Sequence, residues 1–395
     1  MKKFVLVCLI LAGCATPEVK NEPTWEVQKM QGAPAEEPGI EQGVSACYAG
    51  VHQGMLLMAG GCNFPEVPAA EGGKKRFYRG IYAADASADS LFVWKKVGEL
   101  PVEAAYGVSV STPRGVICVG GTNRNGALSS AFRISLAEDN NAAVIDTLPA
   151  LPCTIDNMSG AVLENKLFIA GGNVNGVPSN ALYCLNLEMP DAGWTKLPDF
   201  PGAPRTQPVC VAQRKGGESF LFLWGGFAGA GEGRPATLSV DGLCYHPAEK
   251  TWMPIATPMG TDSVEVSLGG GAGIACGDSL ILCTGGVNKD IFLSALQREE
   301  RMKAAIAAGN QASADSLKAA AKAYMSMPPE AYRFNDRIWV YHTSSDSWEE
   351  ILHYSGTARA GAALAGADGV FFNIGGELKP GIRTPEITRI TIGKK

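Results

Sequence analysis

Short apolar runs that close on a pair of glycines recur along this chain. They are MLLMAGG ending at Gly61, VICVGG at Gly121, LFIAGG at Gly172, LFLWGG at Gly226, LILCTGG at Gly286 and VFFNIGG at Gly376. Runs this short, bounded by glycine and rich in β-branched and aromatic residues, predict strands rather than helices. The second glycines of successive runs stand 60, 51, 54, 60 and 90 residues apart, so the pattern is an internal repeat. Several units continue with a strand-like segment bearing Tyr and another bearing Trp: Tyr82 and Trp94, Tyr183 and Trp194, Tyr245 and Trp252, Tyr341 and Trp348.

That order is the kelch signature, and it predicts an all-β fold, a six-bladed kelch-type β-propeller. Each unit is a four-stranded sheet whose faces only its neighbours bury, so the units must close into a ring. Two irregularities refine the expectation. The sixth unit has no Trp strand after Gly376, whereas Thr24-Trp25-Glu26-Val27 has the form of one, so the N-terminal segment is expected to supply the last blade's outer strand. The fifth unit is overlong. Its excess, about 294–325, holds REERMKAAIAA and LKAAAKAYM, helix formers broken at Gly309-Asn310, and predicts a helical insert. The propeller is expected to span 24–395.

The start of the chain reads differently. Lys2 and Lys3 precede an apolar run from Phe4 to Leu11 that is too short to span a bilayer, followed by Leu11-Ala12-Gly13-Cys14. This resembles a lipoprotein signal, residues 1–14, with Cys14 as the lipidated residue; ordinary signal cleavage beside an incidental Cys is the alternative. Residues 15–23 read as a polar tether. The expectation is an exported protein, in the periplasm or on the outer membrane, anchored through Cys14. Apart from Cys8 and Cys14, nine cysteines remain without a CxxC pair, a poor disulfide framework or metal site. Cys118, Cys210, Cys244 and Cys283 read as small buried hydrophobes.

Composition adds little beyond this. The 48 glycines and 24 prolines fit many short strands and tight turns, and the net charge of −5 argues against a nucleic-acid partner. The four histidines, His52, His246, His342 and His353, are scattered and suggest no metal site.

In a propeller, loops that follow the glycine pairs share one face with the connections between blades. That face is expected to gather Asn63, Asn173, Glu377 and Arg383 with Tyr106, Asn157, Arg205, Gln207 and Arg359. Arginines and amides converging on one mouth suggest an anion-friendly pocket; loops are also polar for no other reason than exposure.

The segments NIGGELKPGIRT, Asn373 to Thr384, and GCNFPEVPAAEGGKKRFYRGIY, Gly61 to Tyr82, resemble those of the bacterial N-acetylneuraminate epimerase (sialic acid mutarotase) family. The long fifth unit ending in Tyr332-Arg333-Phe334-Asn335 is a further likeness, and the order of segments resembles the family's cyclically permuted branch. One departure is Arg79-Gly80, where many relatives carry an acidic residue. The resemblance implies interconversion of the α and β anomers of a sugar acid, with Glu377 and Arg383 as the acid/base pair. Asn63, Tyr106, Asn173, Arg205, Gln207 and Arg359 are the expected substrate-binding residues.

The residue chemistry is compatible with that reading. Mutarotation needs a base for the anomeric hydroxyl and an acid near the ring oxygen, and requires no metal or nucleotide cofactor. Glu377 suits the base. Arg383 is too weak an acid and better suits a carboxylate clamp or an oxyanion stabiliser. From the residues alone, a loop-stapling Glu377–Arg383 salt bridge is an equal alternative. A sialidase-like glycosidase is a weaker rival, because Ser345-Asp346-Ser347-Trp348 is only a fragment of that class's repeated box. A non-catalytic kelch surface protein that binds a glycan or another protein is the rival from a different class.

Overall fold

The computed structural model describes residues 23–393 except 232 and 262; the segment assigned to the signal, with Cys14, lies outside the described residues. The fold is mostly β, with two α-helices and many antiparallel sheets, consistent with an all-β propeller.

Among the described residues there are six four-stranded sheets. The first is Tyr48–His52, Met55–Ala59, Gly80–Asp85 and Lys95–Glu99, paired in chain order, and the next four repeat that order. The second strand of each sheet is an apolar run of the repeat, such as Gly115–Val119 or Leu280–Thr284. These strands are buried almost end to end, because each is flanked by strands on both sides and by sheets on both faces. Outer strands such as Ala143–Leu148 face solvent on one side and alternate instead.

The core lies between sheets. Leu57 and Ile81 of the first pack with Val116, Cys118, Phe132 and Ile134 of the second. Phe222 and Trp224 of the fourth pack with Ile281, Cys283, Trp339 and Tyr341 of the fifth. The outer-strand tryptophans tie neighbours together: Trp194 Nε1 donates to the Pro149 carbonyl (2.8 Å), Trp252 Nε1 to Pro198 (3.2 Å) and Trp348 Nε1 to Ala256 (3.0 Å). Each acceptor belongs to the connection leaving the preceding sheet. The first strands of successive sheets touch in order, and Ala363–Ala367 of the last touches Tyr48–His52 of the first.

Thr24–Met30 pairs with Ile387–Gly393 and forms the outer edge of the sixth sheet, as the missing Trp strand led one to expect. Lys29 Nζ reaches Glu386 (2.6 Å), which also takes Arg359 Nη2 (2.7 Å). The two helices, α1 (Lys289–Ala307) and α2 (Gln311–Ser326), leave the fifth sheet between its second and third strands. The helical stretch begins earlier than the expected residue 294 because Asn288 caps it, its Oδ1 accepting from Ile291 N (3.1 Å). Gly309, at φ 67°, divides the helices as its position predicted. The nine cysteines among the described residues are free, and Cys118, Cys210, Cys244 and Cys283 are buried in the sheets.

Candidate active site

Six residues, Ala46, Tyr106, Asn157, Gln207, Gly270 and Gly361, precede the first strands of the six sheets. Each has a left-handed backbone, with φ between 48° and 73°. Their peptide groups form a closed circle of hydrogen bonds. Tyr106 N donates to Ala46 O, Asn157 N to Tyr106 O, Gln207 N to Asn157 O, Gly270 N to Gln207 O, Gly361 N to Gly270 O, and Ala46 N back to Gly361 O, all within 2.6–3.0 Å. The left-handed state costs a side-chain-bearing residue roughly 1–2 kcal/mol, and for a ring as large as that of Tyr106 it is a marked departure from the usual backbone. These six residues line a central cavity of about 160 Å³. It is smaller than the roughly 300–1,000 Å³ of ordinary ligand sites, so it forms the floor of the mouth. Tyr106, Asn157 and Gln207 furnish half of that floor; Ala46, Gly270 and Gly361 leave the other half bare.

Beside the bare half, Glu377 and Arg383 face each other across a short hairpin, Glu377–Lys379 with Ile382–Arg383. Arg383 Nη1 donates to Glu377 Oε1 (2.5 Å), Nε to Ser45 Oγ (3.0 Å) and Nη2 to the Tyr106 hydroxyl (3.5 Å, the outer limit of such a bond). The guanidinium also lies over the Phe64 ring. Gly381 N donates to the same Glu377 Oε1 (2.7 Å), and among the described residues Oε2 has no hydrogen-bond partner. The Arg383 side chain is 3% exposed and that of Glu377 26%. Burial is the largest single influence and works against the charge of Arg383, but Glu377, Tyr106 and Cys62 together outweigh it and hold the guanidinium pKa above its ordinary value. Lys75 completes the group, its Nζ donating to the Tyr106 hydroxyl (3.2 Å) and lying over that ring.

Three excursions enclose this group. Glu377–Lys379 is held to the helical hairpin by Lys379 Nζ, which donates to the Met327 carbonyl (2.7 Å). α2 touches the turn Ala69–Glu71 of the first long loop. On the far side, α1 rests on the fourth sheet's loop through Phe292 against Phe227.

The remaining candidates divide. Asn173 and Gln207 join one amide chain at the mouth: Gln207 Nε2 donates to Asn157 Oδ1 (2.6 Å), while Asn157 Nδ2 and Asn173 Nδ2 both donate to Asp156 Oδ1 (2.7 Å each). Asn63, Arg205 and Arg359 are not brought to the cavity. Asn63 is buried, donating to the Gly39 and Gly43 carbonyls and accepting from Tyr78. Arg205 forms a two-pronged pair with Asp241 (3.1 Å each) and donates to the Gly225 carbonyl. Arg359 does the equivalent work in the sixth sheet, donating to the carbonyls of Gly375 (2.9 Å) and Glu386 (2.7 Å) and to the Glu386 carboxylate. Their hydrogen-bonded donors serve the walls, and Arg359 Nε is buried with no hydrogen-bond partner among the described residues.

The family model described as N-acetylneuraminate epimerase matches residues 5–144 and 148–395. This chain belongs to the N-acetylneuraminate epimerase family. It is 32% identical over 265 residues to the N-acetylneuraminate epimerase of Haemophilus influenzae (strain PittEE), covering 66% of this chain and 62% of the relative. It is 30% identical over 259 residues to that of Pasteurella multocida (strain Pm70), covering 66% and 62%, and 27% identical over 243 residues to that of Salmonella typhi, covering 62% and 58%. The chain thus spans about three-fifths of the length of the curated relatives it matches.

Within this member of the epimerase family, sequence reasoning missed Lys75, Phe64, Ser45 and Asp156. Lys75 and Tyr106 stand 31 residues apart and carry no shared motif. The circle of left-handed residues did leave a trace. Ala46, Tyr106, Asn157 and Gly361 each stand fifteen residues before the second glycine of their unit.

Proposed function

We propose that this chain interconverts the α and β anomers of N-acetylneuraminate by acid/base-assisted ring opening, at one mouth of a six-bladed kelch-type β-propeller with a helical insert in its fifth blade. The observation that carries this reading is the asymmetry of Glu377. One oxygen is anchored by Arg383 and Gly381 N, and the other is unengaged among the described residues beside a cation-rich mouth. An anchored carboxylate with one unengaged oxygen suits removal of the anomeric hydroxyl proton, a role worth about 10²- to 10⁴-fold in rate. Arg383, kept charged, orients that base and stabilises developing negative charge. Membership of the epimerase family supports the same reading. Tyr106, Gln207 and Asn173, with Asp156 and Asn157, then meet the sugar's polar groups, while Asn63, Arg205 and Arg359 hold the frame.

The test is one-dimensional proton NMR of freshly dissolved crystalline N-acetylneuraminate, at a pH where spontaneous exchange is slow. The protein is expected to hasten the appearance of the minor anomer's H3 signals. An unchanged approach to equilibrium would falsify the reading.

The domain plan belongs to the same proposal: a lipoprotein-type signal over 1–14, lipidation at Cys14, a tether over 15–23 and one propeller over 24–395. The basic start, the short apolar run and Leu11-Ala12-Gly13-Cys14 support an exported, membrane-anchored protein.

A further inference from the structure

The base at Glu377 needs a complementary acid, because ring opening places negative charge on the ring oxygen as the anomeric carbonyl forms. Arg383 is a poor candidate, since Glu377 stabilises its charged form. We propose that Tyr106 is that acid, its hydroxyl proton delivered to the ring oxygen and the resulting phenolate held by Lys75 and Arg383. This inference rests on the anomer-exchange reading above.

Three features carry it. The first is occupancy. The Tyr106 oxygen accepts from Lys75 Nζ (3.2 Å), faces Arg383 Nη2 (3.5 Å) and has the Cys62 thiol as a further side-chain neighbour, so two cations stand at the atom that would carry the phenolate charge. The second is spacing. Glu377 and Tyr106 sit at the two terminal nitrogens of one guanidinium, so one planar fork sets the separation of base and acid. The third is backbone. Tyr106 holds φ 61° in the hydrogen-bonded circle, an uncomfortable state for an aromatic residue, and it is one of the residues that line the cavity.

The charges around the phenol agree with this role. Burial raises its pKa first, the Cys62 thiol and Glu377 raise it further, and Arg383 pulls it down; the net direction is upward. Lys75 adds a second cation at the oxygen itself. The phenol is therefore protonated at neutral pH, and the two cations stabilise the anion formed when it donates.

The proton balance closes over one cycle. Glu377 takes the anomeric hydroxyl proton, the bond between anomeric carbon and ring oxygen breaks, and Tyr106 protonates the departing oxygen. The open-chain keto acid rotates about the bond to its carbonyl carbon. The hydroxyl then adds to the other carbonyl face, returning its proton to the Tyr106 phenolate while protonated Glu377 donates to the carbonyl oxygen. Both residues end as they began, and no oxidant, reductant or co-reactant is consumed.

The experiment compares wild type, Tyr106→Phe and protein carrying a fluorinated, more acidic tyrosine at position 106, following exchange of N-acetylneuraminate by NMR across pH. Tyr106→Phe is expected to lower the saturated exchange rate by roughly 10²-fold or more, with the half-saturating sugar concentration within a few-fold of wild type. The fluorinated tyrosine is expected to move the alkaline limb of the rate profile to lower pH, because activity requires the protonated phenol and is lost as pH rises through its pKa. A purely structural tyrosine would leave that limb in place. Wild-type acceleration together with a fully active Tyr106→Phe, or with an unmoved alkaline limb, overturns this assignment alone. Wild type that fails to accelerate exchange removes the anomer-exchange reading and this assignment with it.

Discussion

Glu377 and Arg359 are both charged residues beside a glycine pair of the last repeat, yet their surroundings give them opposite work. Glu377 Oε1 carries two hydrogen bonds that glutamine can partly keep, whereas the proton-accepting capacity of the carboxylate cannot be kept. Glu377→Gln is expected to slow anomer exchange by roughly 10²-fold or more while sugar binding survives, measured by NMR exchange and by titration calorimetry. A salt bridge that only staples the loop would show the reverse: a small loss of melting temperature and near-normal exchange. Arg383→Lys keeps a charge but loses the fork joining Glu377, Ser45 and Tyr106, so both affinity and rate should fall. For Arg359 the expectation is different. Arg359→Met strands the carbonyls of Gly375 and Glu386, and an unsatisfied buried group costs about 1–3 kcal/mol. The melting temperature should drop clearly, with exchange per folded molecule close to wild type; a stable but inactive variant would return Arg359 to the substrate.

Strands and loops show why the repeat tolerates little change at its glycines and much change elsewhere. A Cβ added at Gly376 would sit 2.9 Å from Ala362 Cβ, at φ 101°, so Gly376→Ala is expected to destabilise the sixth sheet next to the site. The edge strand Thr24–Met30 has a different task. It covers Ile387–Gly393, and partly buried Trp25 packs against the cluster of Ile338, Val340, Phe371 and Ile390. Deleting residues 23–29 bares a sheet edge and that apolar surface, so light scattering should report aggregation on mild heating. Trp25→Ala keeps the strand and should cost less than the roughly 3–5 kcal/mol of a fully buried indole. A deletion variant that melts like wild type would mean the edge strand contributes nothing to closure.

Across the whole molecule, one circle of peptide hydrogen bonds and the contact between the last and first sheets join residues more than 300 positions apart, with Ala46 N on Gly361 O. The long loops reach the mouth from three sheets, so the group around Glu377 depends on that closure. Lys75 comes from the first sheet, Tyr106 from the approach to the second and Arg383 from the sixth. The other prediction at this scale concerns anchoring. If Cys14 is lipidated, wild type should fractionate with membranes and Cys14→Ser should be released or left as precursor; the several acyl chains of a lipoprotein are needed, because one chain binds only marginally. Fully soluble wild type with no added mass at Cys14 would exclude the anchor.

The architecture was readable because the strand before each glycine pair is buried on both faces, which forces an unbroken apolar run that no other element of this length needs. The edge strand at Trp25 was readable for a related reason, since a unit short of a strand must borrow one. Helix α1 was placed too late because its start is decided by one capping side chain, Asn288. At the site, Glu377 and Arg383 were legible because they face each other across one short hairpin and stand close in sequence. Arg205, Arg359 and Asn63 looked like candidates by residue type, but their partners come from distant segments, and a guanidinium on a backbone carbonyl leaves no mark in composition. Sequence by itself determined the repeat, the strand pattern and the local Glu377–Arg383 ion pair, all set by short-range order. Only the tertiary structure decided which polar groups are spent on the walls, and that Lys75 and Tyr106 meet Arg383, because those encounters exist only once the first and last sheets are brought together.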